Sequence, residues 1–174
     1  MLEVEALRVR AGNRRDPIEL VRSVSFGVER GEILALVGES GSGKSMTSLA
    51  VMGLLPHPDV WVHGGRVTLD GTDVTALSPY QRVKRRCSGV AMIFQEPMTS
   101  LNPVARIGAQ IAEAVRVHDP GAHPAHRARE LLDMVRIPDA GLQLGAYPHE
   151  LSGGMRQRVV IAIALACRPT VLIA

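Results

Sequence analysis

The sequence has few cysteines, few lysines and no long apolar run, and each scarcity narrows what the 174-residue chain can be. Its two cysteines, Cys87 and Cys167, have no metal-ligand spacing, and we interpret both as structural thiols of a reducing compartment. The longest apolar run, residues 159–167, falls well short of the roughly 20 residues that cross a bilayer, so we expect no membrane span. The first residues carry acids where a secretory signal carries bases, which favours a chain that is not exported.

The composition is otherwise that of an ordinary folded domain. Apolar residues make up 46% and charged residues 21%, which excludes a disordered or low-complexity chain. The net charge of +3 is too small an excess to identify a nucleic-acid binder. Only Lys44 and Lys84 among the 20 basic residues are lysine. In a sequence that otherwise uses arginine, a lysine indicates a position where an ammonium group is specifically required.

The first third of the chain predicts a hairpin followed by a strand, a loop and a helix. Two alternating runs flank a polar turn at residues 12–17, which predicts an antiparallel hairpin. Residues 33–37 are continuously apolar, the pattern of a parallel strand buried on both faces. A helix is predicted over 44–55, ended by Pro56.

The rest of the chain alternates between short strands and helices. Apolar runs predict an exposed strand at 65–71 and buried strands at 90–94 and 171–174. Helices are predicted at 78–86, 107–117 and 124–135, and we interpret residues 104–150 as a helical insertion. Ser152 opens a last helix that is apolar on nearly every side, which predicts burial inside the molecule.

A glycine-rich loop between the predicted strand and helix carries the clearest motif. It matches G-x-x-x-x-G-K-[ST], a loop whose backbone N–H groups face phosphate oxygens at a helix N-terminus. Lys44 is then expected at the β- and γ-phosphates, and the Ser45 hydroxyl at Mg²⁺. The predicted ATP-binding residues are Gly38, Glu39, Ser40, Gly41, Ser42, Gly43, Lys44 and Ser45.

A second motif, Leu-Ser-Gly-Gly-Met, precedes the apolar helix. Taken alone it is a normal helix start, with Ser152 as the N-cap. Next to a phosphate loop, its Leu-Ser-Gly-Gly resembles the signature of ABC-type ATPases. The predicted signature residues are Leu151, Ser152, Gly153, Gly154 and Met155.

The two motifs together resemble those of the nucleotide-binding subunits of ABC transporters, over essentially the whole chain. Residues 94–103 and 147–158 are most similar to the peptide and nickel importer branch. The resemblance implies an α/β fold with a P-loop NTPase (RecA-like) core, incomplete at the C-terminus, and two subdomains. The implied core comprises residues 32–59, 76–103 and 151–174, the antiparallel β subdomain 1–31 and 60–75, and the helical subdomain 104–150.

The resemblance also implies ligands and partners. ATP on the phosphate loop of one subunit is capped by the signature of a second ATP-binding subunit, and Gln95 approaches Mg²⁺ and the attacking water as the catalytic residue of this chain. Transmembrane permease subunits are implied as partners, and an extracytoplasmic solute-binding protein as an indirect one. The implied function is ATP hydrolysis coupled to transport, of the peptide or nickel import type, at the cytoplasmic face of the membrane.

Three features depart from the family pattern. Met155 stands where many relatives have glutamine. Ala11 falls where the family has an aromatic that stacks on adenine, and because of this second departure we expect poor adenine selectivity. Residues 171–174 resemble the apolar half of the Walker B strand, and the aspartate and glutamate that follow it in the family are not among the 174 residues. We therefore expect this chain alone to be inactive in hydrolysis.

Other functions remain open at this point. A soluble ABC-type ATPase that acts on nucleic acid or the ribosome is the alternative, although the basic run at 82–86 lacks interleaved aromatics and we expect no nucleic-acid partner. Three histidines, His118, His123 and His126, suggest a metal site, but no cysteine accompanies them and we favour surface positions. A small P-loop kinase or GTPase leaves the second motif unexplained.

Overall fold

The computed structural model describes residues 1–78, 81, 89–94, 100–119 and 121–174. The chain divides into two compact units, Met1–Arg86 and Cys87–Ala174, each with its own sheet and helices. The phosphate loop belongs to the first unit and the Leu-Ser-Gly-Gly-Met motif to the second.

The first unit contains a four-stranded antiparallel sheet with the order β2-β1-β3-β4. Its strands are β1 (Leu2–Asn13), β2 (Asp16–Val28), β3 (Val60–Leu69) and β4 (Thr72–Asp73). The predicted hairpin is confirmed, since β1 pairs with β2 through a turn at Arg14 and Arg15. The strand predicted at 65–71 begins earlier, because residues 60–64 also pair with β1. Its predicted exposure is wrong, since Val67 and Leu69 on one face are buried.

Helix α1 (Lys44–Met52) follows the phosphate loop directly. It is shorter than the sequence predicts, since Gly53 takes a left-handed conformation with φ 63° and its N–H closes the last turn onto the carbonyls of Ala50 and Leu49. Such a glycine ends a helix on its own, so the chain leaves the helix before it reaches Pro56. The buried residues Thr47, Ala50 and Val51 hold α1 against the unit.

The predicted buried strand at residues 33–37 is wrong. The segment has no strand assignment, and the side chains of Ile33 and Val37 are 96% and 92% exposed. A run of this kind becomes a buried strand only when ladders form on its edges and layers cover its faces. Neither sheet of the described residues takes up this segment, so it has the composition of a central strand without the neighbours of one.

The second unit is mainly helical. Its helices are α2 (Ile107–His118), α3 (Pro124–Met134), α4 (Ala140–Gln143) and α5 (Gly153–Ala166), and a 3₁₀ turn spans Pro148–Glu150. Buried aliphatic residues from α2, α3 and α5 form one core, with Leu151 at its edge. The predicted burial of α5 is confirmed, because every residue from 159 to 167 is buried or half-buried.

Two short strands complete this unit. Strand β5 (Val90–Met92) pairs in parallel with β6 (Val171–Ile173). Of the buried strand predicted at 90–94, Val90 and Ala91 are buried, but the strand ends at Met92 and Phe94 is exposed. Leu172 in β6 is 41% exposed, so the predicted burial of residues 171–174 is wrong. In the described residues β6 pairs with β5 alone, which leaves its other edge uncovered.

Several predictions fall outside the described residues. The polar helix predicted at 78–86 has only residues 78 and 81 described, and Cys87 and Gln95 are not among the described residues. Cys167 is buried, and its Sγ lies 3.9 Å from the carbonyl oxygen of Ile163.

Candidate nucleotide-binding site

The phosphate loop leads into α1 with an open helix N-terminus. Gly43 is the N-cap, with φ 91° and ψ 4°, and no side chain caps the helix. The first N–H groups of a helix have no acceptor within the helix itself. In α1 these groups, together with the positive end of the helix dipole, are therefore available to an anion.

Glycine is required in this loop for two reasons. Gly41 and Gly43 have φ values of +83° and +91°, a left-handed region in which a Cβ is strained. A Cβ on Gly43 would also lie 2.7 Å from the carbonyl oxygen of Leu20 in β2, so the loop sits directly on the sheet. A Cβ on Gly38 would meet the Ser42 hydroxyl at 2.6 Å, which means that the loop closes tightly on itself.

The Lys44 ammonium is turned back over the loop. Its Nζ donates to the carbonyl oxygens of Gly38 and Glu39, both at 2.7 Å, and to the Ser42 hydroxyl oxygen at 3.2 Å. All of these acceptors are oxygen atoms of the loop that the motif assigns to phosphate. The ammonium is thus already held at the centre of the loop, and phosphate oxygens are acceptors of the same kind with a full negative charge.

The hydroxyls of Ser45 and Thr47 follow the lysine and differ in their use. Thr47 is buried and its Oγ1 donates to the carbonyl of Gly43 at 2.9 Å, which secures the first turn of α1. Ser45 is exposed. A serine oxygen is a suitable ligand for the hard cation Mg²⁺, so the side chain present here fits the metal that the motif predicts. Gln95, the second predicted ligand, lies outside the described residues.

The sheet beside the loop has a small residue where an aromatic was expected. Ala11 is opposite Val60 in the β1–β3 ladder, whereas Trp61 is opposite Arg10. Successive side chains of a strand point to opposite faces, so Ala11 shares the face of buried Val9 and Trp61 lies on the other face. The Arg14 guanidinium covers the Trp61 ring at 4.9 Å.

The face that carries Ala11 is also the face that the phosphate loop touches. Val21 of β2 is paired with Val9, and its Cγ2 would lie 3.2 Å from a Cβ on Gly43. Trp61 is therefore on the wrong side of the sheet to replace the missing aromatic. The sequence could not reveal this, because β1 and β3 contain register shifts that simple alternation does not predict.

The second motif forms the N-terminus of α5. Ser152 is the N-cap, and its Oγ accepts a hydrogen bond from the Met155 N–H at 3.3 Å. Gly153 and Gly154 are exposed, and a Cβ on either would meet nothing within 4 Å. Leu151 is buried and Met155 packs against the same core, so these two side chains attach the turn to the unit while the two glycines face solvent.

An arginine that the sequence analysis did not select stabilises this turn. Arg156 donates from Nε to the carbonyl of Pro148 at 2.6 Å, and from Nη2 to the carbonyl of His149 at 3.3 Å. The preceding turn is closed by Glu150, whose Oε2 accepts from the Tyr147 N–H at 2.6 Å. The only signal in the sequence is the position of the arginine one helical turn after Ser152.

The histidine-rich segment has a local structural use. His123 is the N-cap of α3 and its Nδ1 accepts from the His126 N–H at 3.5 Å, while His126 Nδ1 lies 3.3 Å from Glu130 Oε1. In the part of the chain that the structure describes, no three metal-ligating side chains converge. None of the described helices is long and apolar enough to span a bilayer.

The chain is similar over its whole length to known proteins. The sequence pattern of the ABC transporter family matches residues 21–174. The chain is 48% identical to the dipeptide transport ATP-binding protein DppD of Haemophilus influenzae, with 100% of this chain and 53% of that protein covered. It is 51% identical to the glutathione import ATP-binding protein GsiA of Pectobacterium atrosepticum, with 100% of this chain and 29% of that protein covered. The chain spans about half the length of the first relative and less of the second.

Solved structures show the same architecture. A dimeric post-hydrolysis state of the ATP-binding cassette MJ0796, bound to ADP and Pi, matches with a TM-score of 0.82 at 25% identity, covering 99% of this chain and 72% of that chain. CbiO1 of Clostridium perfringens, part of the ABC transporter complex cbiONQ, matches with a TM-score of 0.79 at 27% identity, covering 98% of this chain and 63% of the other.

Proposed function

Because the chain belongs to the ABC transporter family and has the fold of its ATP-binding cassettes, we propose that its protein couples ATP binding and hydrolysis to solute import through partner membrane subunits. The observation that carries the proposal is the phosphate loop. Its glycines hold left-handed conformations, its helix N-terminus is uncapped by any side chain, and Lys44 is held at its centre. This combination of N–H donors and a compact cation suits the phosphate groups of a nucleotide.

In this proposal the loop residues bind the phosphates and orient them. The N–H groups at the start of α1 donate to phosphate oxygens, and Lys44 exchanges its acceptors on Gly38 and Glu39 for the β- and γ-phosphates. Mg²⁺, held by the Ser45 hydroxyl and Gln95, would neutralise charge on those phosphates. Gln95 is also proposed to orient the attacking water.

The Ser152 turn is proposed to close the site from a second ATP-binding subunit. Its hydroxyl and the N–H groups of Gly153 and Gly154 lie at the positive end of α5, in an exposed position that suits a γ-phosphate. A solved relative of this fold is dimeric with ADP and Pi, which supports a paired arrangement. The partner supplies Leu151–Met155 in the same way, so that each site uses residues of both chains.

The proposed cargo is a peptide, or a nickel-type solute of the same importer branch. Peptides have the stronger support, because the two relatives named above are a dipeptide transport protein and a glutathione import protein. Permease subunits and, indirectly, a solute-binding protein complete the system, with this subunit on the cytoplasmic face of the membrane. The relatives give no support to a role on nucleic acid or the ribosome.

The proposal is tested on the intact protein assembled with its membrane subunits. We expect ATP hydrolysis and dipeptide uptake, and the loss of both in Lys44→Ala and in Ser152→Ala. A variant on the opposite sheet face, Trp61→Phe, is the control and should retain both activities. Hydrolysis that survives Lys44→Ala, or binding of no nucleotide at all by the intact protein, contradicts the proposal.

A further inference from the structure

Arg156 makes contacts in the second unit that the proposed function has not yet used. It lies four residues after Ser152 in α5, and its N–H donates to the Ser152 carbonyl at 2.9 Å as part of the helix. Helical side chains lean towards the helix N-terminus, so the guanidinium reaches back past the start of its own helix. There it meets the carbonyls of Pro148 and His149, the first two residues of the 3₁₀ turn.

That 3₁₀ turn leads straight into the Ser152 turn. Pro148 is buried, and Leu151 is 3% exposed and belongs to the core of the unit. The backbone closure inside the turn, from the Leu151 N–H to the Pro148 carbonyl, is long at 3.3 Å. The 2.6 Å contact from Arg156 to the same carbonyl is shorter and charge-assisted, so the guanidinium is the tighter tie between the turn and α5.

We propose that Arg156 is a positioning residue, which holds the Ser152 turn in the shape that closes over ATP bound to a neighbouring chain. The inference rests on the proposed function and deepens it. A planar guanidinium donates along two directions at once and stays charged, whereas a lysine ammonium at the same place satisfies these two carbonyls less well. Its two contacts to this turn are both to backbone carbonyls, so Arg156 acts through Ser152.

The chain provides a matched control on the same helix. Arg158 Nη1 also donates to a backbone carbonyl at 2.6 Å, but its acceptor is Arg136, which is outside the Ser152 turn. Removal of either arginine deletes one positive charge from α5 together with a charge-assisted hydrogen bond to a backbone carbonyl at 2.6 Å. Arg156 also loses its bond to His149. Only the loss of Arg156 releases the turn.

The test measures kcat, KM for ATP and thermal unfolding in the intact protein with its membrane subunits. We expect Arg156→Gln to lower kcat by about tenfold, from the loss of charge-assisted hydrogen bonds, with KM for ATP unchanged because the phosphate loop is intact. Arg156→Lys should recover part of kcat. Arg158→Gln should also lower the unfolding temperature, though less than Arg156→Gln because one hydrogen bond is lost and not two, and should keep the wild-type kcat.

Three results overturn the proposal: wild-type kcat in Arg156→Gln, an equal loss of kcat in Arg158→Gln, or no advantage of lysine over glutamine at 156. Should Arg156→Gln not fold, the comparison of Arg156→Lys with Arg158→Lys decides in the same way. Ser152→Ala is measured in parallel. If it lowers kcat while Arg156→Gln does not, only the positioning role fails; if it has no effect, the proposed closure by this turn fails as well.

Discussion

Replacement of Gly43 by alanine tests whether the loop is built on the sheet as closely as the structure shows. Gly43 has φ +91°, and a Cβ there would lie 2.7 Å from the Leu20 carbonyl oxygen, a backbone atom that cannot rotate away. The left-handed conformation costs a residue with a Cβ about 1–2 kcal/mol. Forcing the backbones apart adds about 1–3 kcal/mol. Gly43→Ala should therefore destabilise the protein by about 2–5 kcal/mol, the sum of these terms.

Two other glycines separate the conformational term from the contact term. Gly41 and Gly31 have φ +83° and +78°, and a Cβ at either would meet nothing within 4 Å. Alanine at these positions should cost only the conformational term, about 1–2 kcal/mol. Gly31 precedes the loop, so Gly31→Ala should also leave ATP affinity unchanged.

The assay is thermal unfolding of the intact protein together with equilibrium binding of ATP. We expect Gly43→Ala to unfold at the lowest temperature of the three variants and to lose ATP binding, because α1 and Lys44 move with the loop. Gly41→Ala should lose less of both. Equal unfolding temperatures for Gly43→Ala and Gly41→Ala would refute the argument that the loop rests on the Leu20 carbonyl.

Three further predictions concern other parts of the molecule. Ser152→Ala should lose the helix cap at a cost of about 1 kcal/mol, whereas Ser152→Asp should keep the cap and the stability. Both variants should abolish turnover, the first because it lacks the hydroxyl and the second because aspartate repels the γ-phosphate. Turnover in Ser152→Asp would argue against that contact. ATP and GTP should bind with comparable affinity. Ala11→Tyr should tighten ATP binding by about 1–3 kcal/mol through stacking on the base, while Trp61→Ala should leave ATP affinity unchanged. A strong ATP preference of the wild type in competition binding contradicts this. The Thr75 hydroxyl donates to Asp73 and is the main cause that holds the pKa of Asp73 below its ordinary value of 3.8. A carboxyl with a lowered pKa stabilises the fold above pH 3.8, and this stabilisation is lost as the pH falls through the folded-state pKa. Thermal unfolding should therefore show that Thr75→Val destabilises the protein at neutral pH and that the effect fades below pH 3.8.

Local signals in the sequence predicted the elements that depend on local chemistry. The β1–β2 hairpin follows from alternation around a polar turn, and the start of α5 follows from Ser152 as an N-cap. The buried strand predicted at residues 33–37 was wrong because burial of a strand depends on neighbouring strands and helices that the segment itself does not specify. A pattern predicts what a segment is suited to, whereas the ladder that completes it comes from elsewhere in the fold.

The residues of the candidate site that belong to a motif of fixed spacing could be predicted from the sequence. A side chain that binds backbone carbonyls outside its own motif could not. The phosphate loop is recognisable because its glycines and Lys44 occupy fixed spacings. Arg156 reaches carbonyls seven and eight residues earlier in the chain, and no periodic pattern encodes such a contact. The face occupied by Trp61 depends on register shifts in β1 and β3, which only the structure supplies. Gln95 stays a prediction.

A site shared between two chains is the central claim, and photolabelling of mixed dimers tests it most directly. The intact Lys44→Ala protein carries one tag and is mixed with an untagged chain whose Lys44 is present. A photoreactive group on the γ-phosphate of ATP then reports which chain lies over the bound nucleotide. We predict labelling of the tagged chain at residues 151–155, although that chain has lost its own phosphate-binding lysine. Labelling confined to the chain that retains Lys44 would contradict the account.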